Sequence, residues 1–149
     1  MSYSNNGSSA YKEIAINTAS PAKLVVLLYE GAIRFLRQTE DDIRRKDFAK
    51  KSQSVDRAVA IIQHLQGTLD LDKGGKVAFD LDRLYTYITS RIFEGSAKLD
   101  LKAFEEAIQL LTTLLSGWEE IARKEQEHSV PADLLAQQQA AGGRFELHA

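Results

Sequence analysis

The sequence predicts an all-α fold, an antiparallel up-down four-helix bundle. Pro21 and Pro131 are its only prolines, so about 110 residues run without a helix breaker. Four segments carry apolar residues at spacings of three and four, the period of a helix face. The connections between them are short, which makes consecutive helices antiparallel neighbours and leaves no room for long crossovers.

Residues 1–10 are rich in Ser, Asn and Gly and read as a mobile tail. Tyr11 to Ile16 is a short segment with large apolar groups. It is too short to be a stable isolated helix, because nucleation is costly, so it must dock or stay loose. Ser20-Pro21 is a helix start, with Ser as N-cap and Pro at the first helical position. The first helix runs to about Arg45. The second begins near Lys46 and carries Phe48, Ser52, Val55, Val59, Ile62 and Leu65 on one face. Gly67 ends it, and the stretch to Gly74-Gly75 reads as a loop. The third starts near Lys76, carries Val77, Leu81, Leu84, Tyr85, Ile88 and Ile92, and closes at Gly95-Ser96. The fourth runs from about Asp100 to Gln126 on a stripe from Leu101 through Phe104, Ile108 and Leu111 to Trp118. After His128 the chain turns polar, although Pro131 could open a brief helix. The domain reading is a tail and cap segment over 1–19, the bundle over 20–127 and a flexible tail over 128–149.

A chain of 149 residues with 44% hydrophobic residues is one domain with enough apolar surface for a core. With no cysteine, disulfides, thiolate metal sites and cysteine nucleophiles are excluded, and the absence agrees with a reducing cytoplasm. The net charge of −2 predicts no general attraction to nucleic acid or anionic lipid. The longest apolar run, Leu24 to Tyr29, falls far short of the ~20 residues of a membrane span. The opening residues lack the basic and apolar regions of a signal peptide.

Some apolar residues look surplus to a bundle core. On helix one, Leu24, Leu28, Ala32 and Phe35 centre a core arc that Val26 and Ile33 widen to roughly 200°, where a core-facing helix needs somewhat over 100°. On helix three, Phe79 and Phe93 lie away from the core stripe, on one line with Thr86. This predicts an external groove bordered by helices one and three, lined by Val26, Tyr29, Ile33, Phe79 and Phe93, that takes an apolar peptide. Tyr11, Ile14 and Ile16 would cover it when no partner is present. The plain alternative is scattered exposed apolar residues, or a bundle that self-associates as a homodimer through the surplus face.

Enzyme chemistry finds little support. Di-iron bundles need two Glu-x-x-His pairs, and only Glu125 and His128 have that spacing. His64 could serve a phosphotransfer bundle, but Gln66-Gly67 beside it offers neither the lysine nor the spacing. Gly74-Gly75 lacks the pattern of a phosphate loop. The basic string from Arg44 to Lys51 is interrupted by Asp47 and reads as a solvated corner. No metal or cofactor is expected.

Two strings carry more than periodicity. The first runs from Ala10-Tyr11 through Asn17-Thr18-Ala19-Ser20-Pro21 to Leu28-Tyr29-Glu30-Gly31. The second is Leu71-Asp72-Lys73-Gly74-Gly75-Lys76-Val77-Ala78 followed by Leu81-Asp82-Arg83-Leu84-Tyr85. Together they resemble the FliS family of flagellin export chaperones over about residues 10–126. The resemblance implies a cytoplasmic four-helix bundle without enzymatic activity. It implies a partner in the C-terminal segment of flagellin, which the family keeps from polymerising early, and a second partner in the cytoplasmic part of the flagellar type III export gate. It also implies that Tyr11 and Ile14 form a removable cap hinged at Asn17–Pro21. Lys23 departs from a capping box, which would place an acid there, and the tail after residue 127 is longer than the family core requires.

Overall fold

The computed structural model describes residues 20–128. They form four helices: α1 (Pro21–Arg44), α2 (Phe48–Gly67), α3 (Leu71–Lys98) and α4 (Leu101–Glu127). The expected four-helix all-α bundle is therefore the observed one. The expected tail segments, with Tyr11, Ile14, Ile16 and the brief helix at Pro131, lie outside the described residues.

Each helix starts on a side-chain cap. Ser20 Oγ accepts from the Lys23 amide at 3.1 Å, with Pro21 in the first turn. Asp47, Asp70 and Asp100 cap α2, α3 and α4 by accepting from Lys50, Lys73 and Lys102 amides. An N-cap oxygen satisfies one of the orphan amides of the first turn, worth about 1 kcal/mol. At the first corner Lys46 takes a left-handed conformation, φ 60°. It therefore stands between the helices, and α2 begins at Phe48 rather than at Lys46.

The expected loop up to Gly74-Gly75 is corrected. Asp70 nucleates one turn from Leu71, and the chain then kinks at Gly75, φ 57° and ψ −138°. That conformation is open only to glycine without strain. The expected stop at Gly95-Ser96 is also corrected: α3 continues to Lys98, and left-handed Leu99 ends it. Gly95 serves packing instead. A Cβ there would come within 2.9 Å of Ala103 Cβ and 3.0 Å of the Phe104 ring, so glycine lets α4 start hard against α3.

The helices pack in cyclic order, α1 on α2, α2 on α3, α3 on α4 and α4 on α1. Helices α1 and α3 occupy opposite corners. Tyr29, Leu36, Ile62, Tyr85, Ile88, Phe104 and Leu111 fill the interior. Asp42, fully buried, accepts from Gln38 Nε2 and Ser54 Oγ, both at 2.9 Å. This pins α1 to α2 through a satisfied acid rather than an orphaned one.

Candidate partner-binding surface

The cyclic order corrects the predicted groove. Helices at opposite corners share no external groove, so α1 and α3 cannot border one. Val26, 2% exposed, Tyr29, 0%, and Ile33, 9%, belong to the core cluster, and none of the three is surplus to it. The wide apolar arc of α1 arises because α1 packs on both α2 and α4, and each neighbour needs its own stripe.

Tyr29 instead crosses the bundle diagonal. Its hydroxyl lies 2.5 Å from that of Tyr85, with ring centroids 6.4 Å apart and tilted by 51°. One hydroxyl donates to the other. Burial pushes both phenols above their usual range, and the neighbouring Tyr85 raises Tyr29 further. Both stay neutral at any physiological pH, which suits a structural pair.

Phe79 and Phe93 behave as the periodicity predicts. They are 53% and 49% exposed, and with exposed Thr86 between them they fall at seven-residue steps. Each step rises about 10 Å along one helix face. Gln66 of α2 donates to Asp82 Oδ1 and to Thr86 Oγ1, both at 2.9 Å. The row therefore runs along the α2 side of α3. The other side of α3 is a polar clasp on α4, where Tyr87 and Arg91 each donate to Glu106 at 2.7 Å and Arg91 also reaches Glu94. These bonds lower Glu106 below the usual carboxylate range, Tyr87 acting most strongly, and raise Tyr87.

Sequence reasoning missed the apolar end of the bundle. Gln66, one residue from the end of α2, already reaches Asp82. The part of α3 before Leu81 therefore extends past α2. Val77, assigned to the core stripe, is 57% exposed for that reason. Phe79 lies in the same overhang and is exposed, as is Leu71 before the kink at Gly75. Phe48, also assigned to a core face, is exposed because it is the first residue of its helix. Of the exposed large hydrophobics, α3 carries Leu71, Val77, Phe79, Tyr87 and Phe93. Only the α3 row had a sequence signal, its seven-residue spacing; the overhang follows from the hairpin register.

The residues singled out for chemistry stay apart. His64 is exposed in the last turn of α2. His128 turns its ring to the Lys124 carbonyl at 2.8 Å. Among the described residues no group of three His, Cys, Asp or Glu side chains could hold a metal ion. No described helix is long and apolar enough to cross a membrane.

A family model described as flagellar protein FliS matches residues 4–125. The chain belongs to the FliS family. It is 31% identical over 127 residues to the flagellar secretion chaperone FliS of Salmonella typhimurium, covering 82% of this chain and 94% of that one. It is 33% identical over 110 residues to the flagellar secretion chaperone FliSB of Pseudomonas aeruginosa, covering 74% and 87%. The Campylobacter jejuni flagellar secretion chaperone FliS is 34% identical over 116 residues, covering 78% and 91%. FliS proteins are secretion chaperones and not enzymes, so the surface to explain is a binding surface.

Proposed function

We propose that this FliS-family chain binds the C-terminal segment of flagellin in the cytoplasm. There it prevents premature polymerisation and helps deliver flagellin to the export gate of the flagellar type III apparatus. The observation that carries this reading is the exposed phenyl row of α3, on a chain that belongs to a family of flagellar secretion chaperones. An apolar, helix-prone tail is an aggregation hazard when free. Docking it on Phe79 and Phe93 removes apolar surface from water, at roughly 25 cal/mol per Å². Ordering the tail costs several kcal/mol, which keeps the complex releasable.

Tyr11, Ile14 and Ile16 act in this reading as a cover that competes with the tail, so capped and open chaperone exist as two populations. Val26, Tyr29 and Ile33 act from below, by holding the bundle that carries the row. The test is flagellin polymerisation followed by light scattering. Wild-type protein suppresses it, and Phe93→Asp, still helical by circular dichroism, does not. Full suppression by Phe79→Asp and Phe93→Asp alike contradicts the reading. Deleting residues 1–16 speeds association with the tail; an unchanged on-rate and affinity rule out the cover.

A further inference from the structure

A second surface lies on the face next to the α3 row, in the seam between α1 and α2. A cavity of about 290 Å³ opens there, lined by Arg34, Phe35 and Gln38 of α1 and by Lys50, Gln53 and Arg57 of α2. The guanidinium carbons of Arg34 and Arg57 stand 5.7 and 5.8 Å from the centroid of the Phe35 ring. Two cations thus share one aromatic ring, which holds them in place and leaves their N–H edges free.

Charge in the seam is compensated only in part by the described residues. Among the described residues neither Arg34 nor Arg57 pairs with a carboxylate. Glu30, one turn before Arg34, forms no ion pair with it. Lys50 has only a long contact with Asp47, 4.0 Å. The acid lining the cavity, Asp42, is fully buried and already accepts from Gln38 and Ser54. The solvent side therefore presents three cations and two side-chain amides, and no free carboxylate.

We propose that the α1–α2 seam is a docking surface for an acidic peptide segment of a partner protein, separate from the α3 row and its apolar tail. Arg34 and Arg57 would take one carboxylate between them in the forked geometry that guanidinium favours. Lys50 stands seven residues from Arg57, about 10 Å along the helix. An extended chain covers about 3.3 Å per residue, so a second carboxylate three residues away reaches Lys50. That spacing fits a peptide rather than a single small anion.

The probe is a capped ten-residue peptide with Glu at every third position and Ser and Gly between, titrated into the ¹⁵N-labelled full chain at low salt. Expected are shifts confined to backbone amides of residues 34–38 and 50–57, weakened by added salt. The Arg34→Gln/Arg57→Gln variant binds at least tenfold more weakly, Arg57→Lys is intermediate, and Phe93→Asp binds as wild type. Equal binding of the Gln version of the peptide overturns the proposal, as does unchanged affinity in the double Arg variant. Equal affinity for inorganic phosphate at the same amides reduces the seam to a plain anion site and also overturns it. Because both arginines are exposed, the variants keep their helical circular dichroism.

Discussion

Tyr29 and Tyr85 meet hydroxyl to hydroxyl across the bundle diagonal. Removing one hydroxyl leaves the other buried and unpaired, which costs about 1–3 kcal/mol. Tyr29→Phe and Tyr85→Phe should each destabilise the protein by that order in urea titration. The double variant should lose clearly less than the sum, because both polar groups then go. Glu40 is a contrasting case. It is 7% exposed, with one carboxylate oxygen lacking a hydrogen-bond partner. Burial raises its pKa above the ordinary 4.5, partly offset by Arg44. The native state thus holds its proton more tightly than the unfolded chain, and this group's contribution to stability is lost as pH rises through the raised value. Glu94 and Glu106 have the opposite sign: lowered by Lys98, Arg91 and Tyr87, they contribute stability that is lost on acidification. Glu40→Gln should gain stability over wild type at pH 7, and the gain should vanish near pH 4; equal curves across that range would refute the assignment.

At the scale of elements, periodicity located the four helices because each needs a stripe toward the core, and that stripe is local in sequence. The sequence also placed the helix starts at Ser20 and Asp100 and the helix end at Gly67, but not the starts of α2 and α3. Asp47 and Asp70 cap those two helices, and each is an ordinary charged residue until the chain direction at that point is known. Gly75 read as the close of a loop and Gly95 as a helix stop, yet one supplies a positive φ and the other a close helix approach. Gly95→Ala forces Ala103 and Phe104 to move and should cost about 1–3 kcal/mol. Gly75→Ala has open space but a strained backbone, and should also destabilise. Thermal melts of both, with Gly117→Ala as an unobstructed control, separate the two causes. A control that loses as much as Gly95→Ala would argue against the packing role.

At the scale of the whole molecule, the arrangement of helices decides which apolar residues are surface. The α1 arc looked excessive only against a helix with one neighbour; with α2 and α4 on either side, Val26 and Ile33 are core. The row on α3 was legible because Phe79 and Phe93 fall outside any stripe that a second neighbour could use. The overhang of α3 past α2 was not, since it depends on which residues of two helices stand level. Resemblance in the Asn17–Pro21 and Leu71–Ala78 strings pointed to the family, but neither string contains the exposed phenyl row. The family was thus readable from motif, the phenyl row from its spacing, and the overhang only from topology.

Calorimetric titration of a flagellin C-terminal peptide into the full chain at several temperatures tests the central claim most directly. Binding should show a negative heat-capacity change from apolar burial coupled to folding of the tail, and Phe79→Asp/Phe93→Asp, still helical, should abolish it. Unchanged affinity and heat capacity in that variant would place the flagellin tail elsewhere on the bundle and contradict the claim.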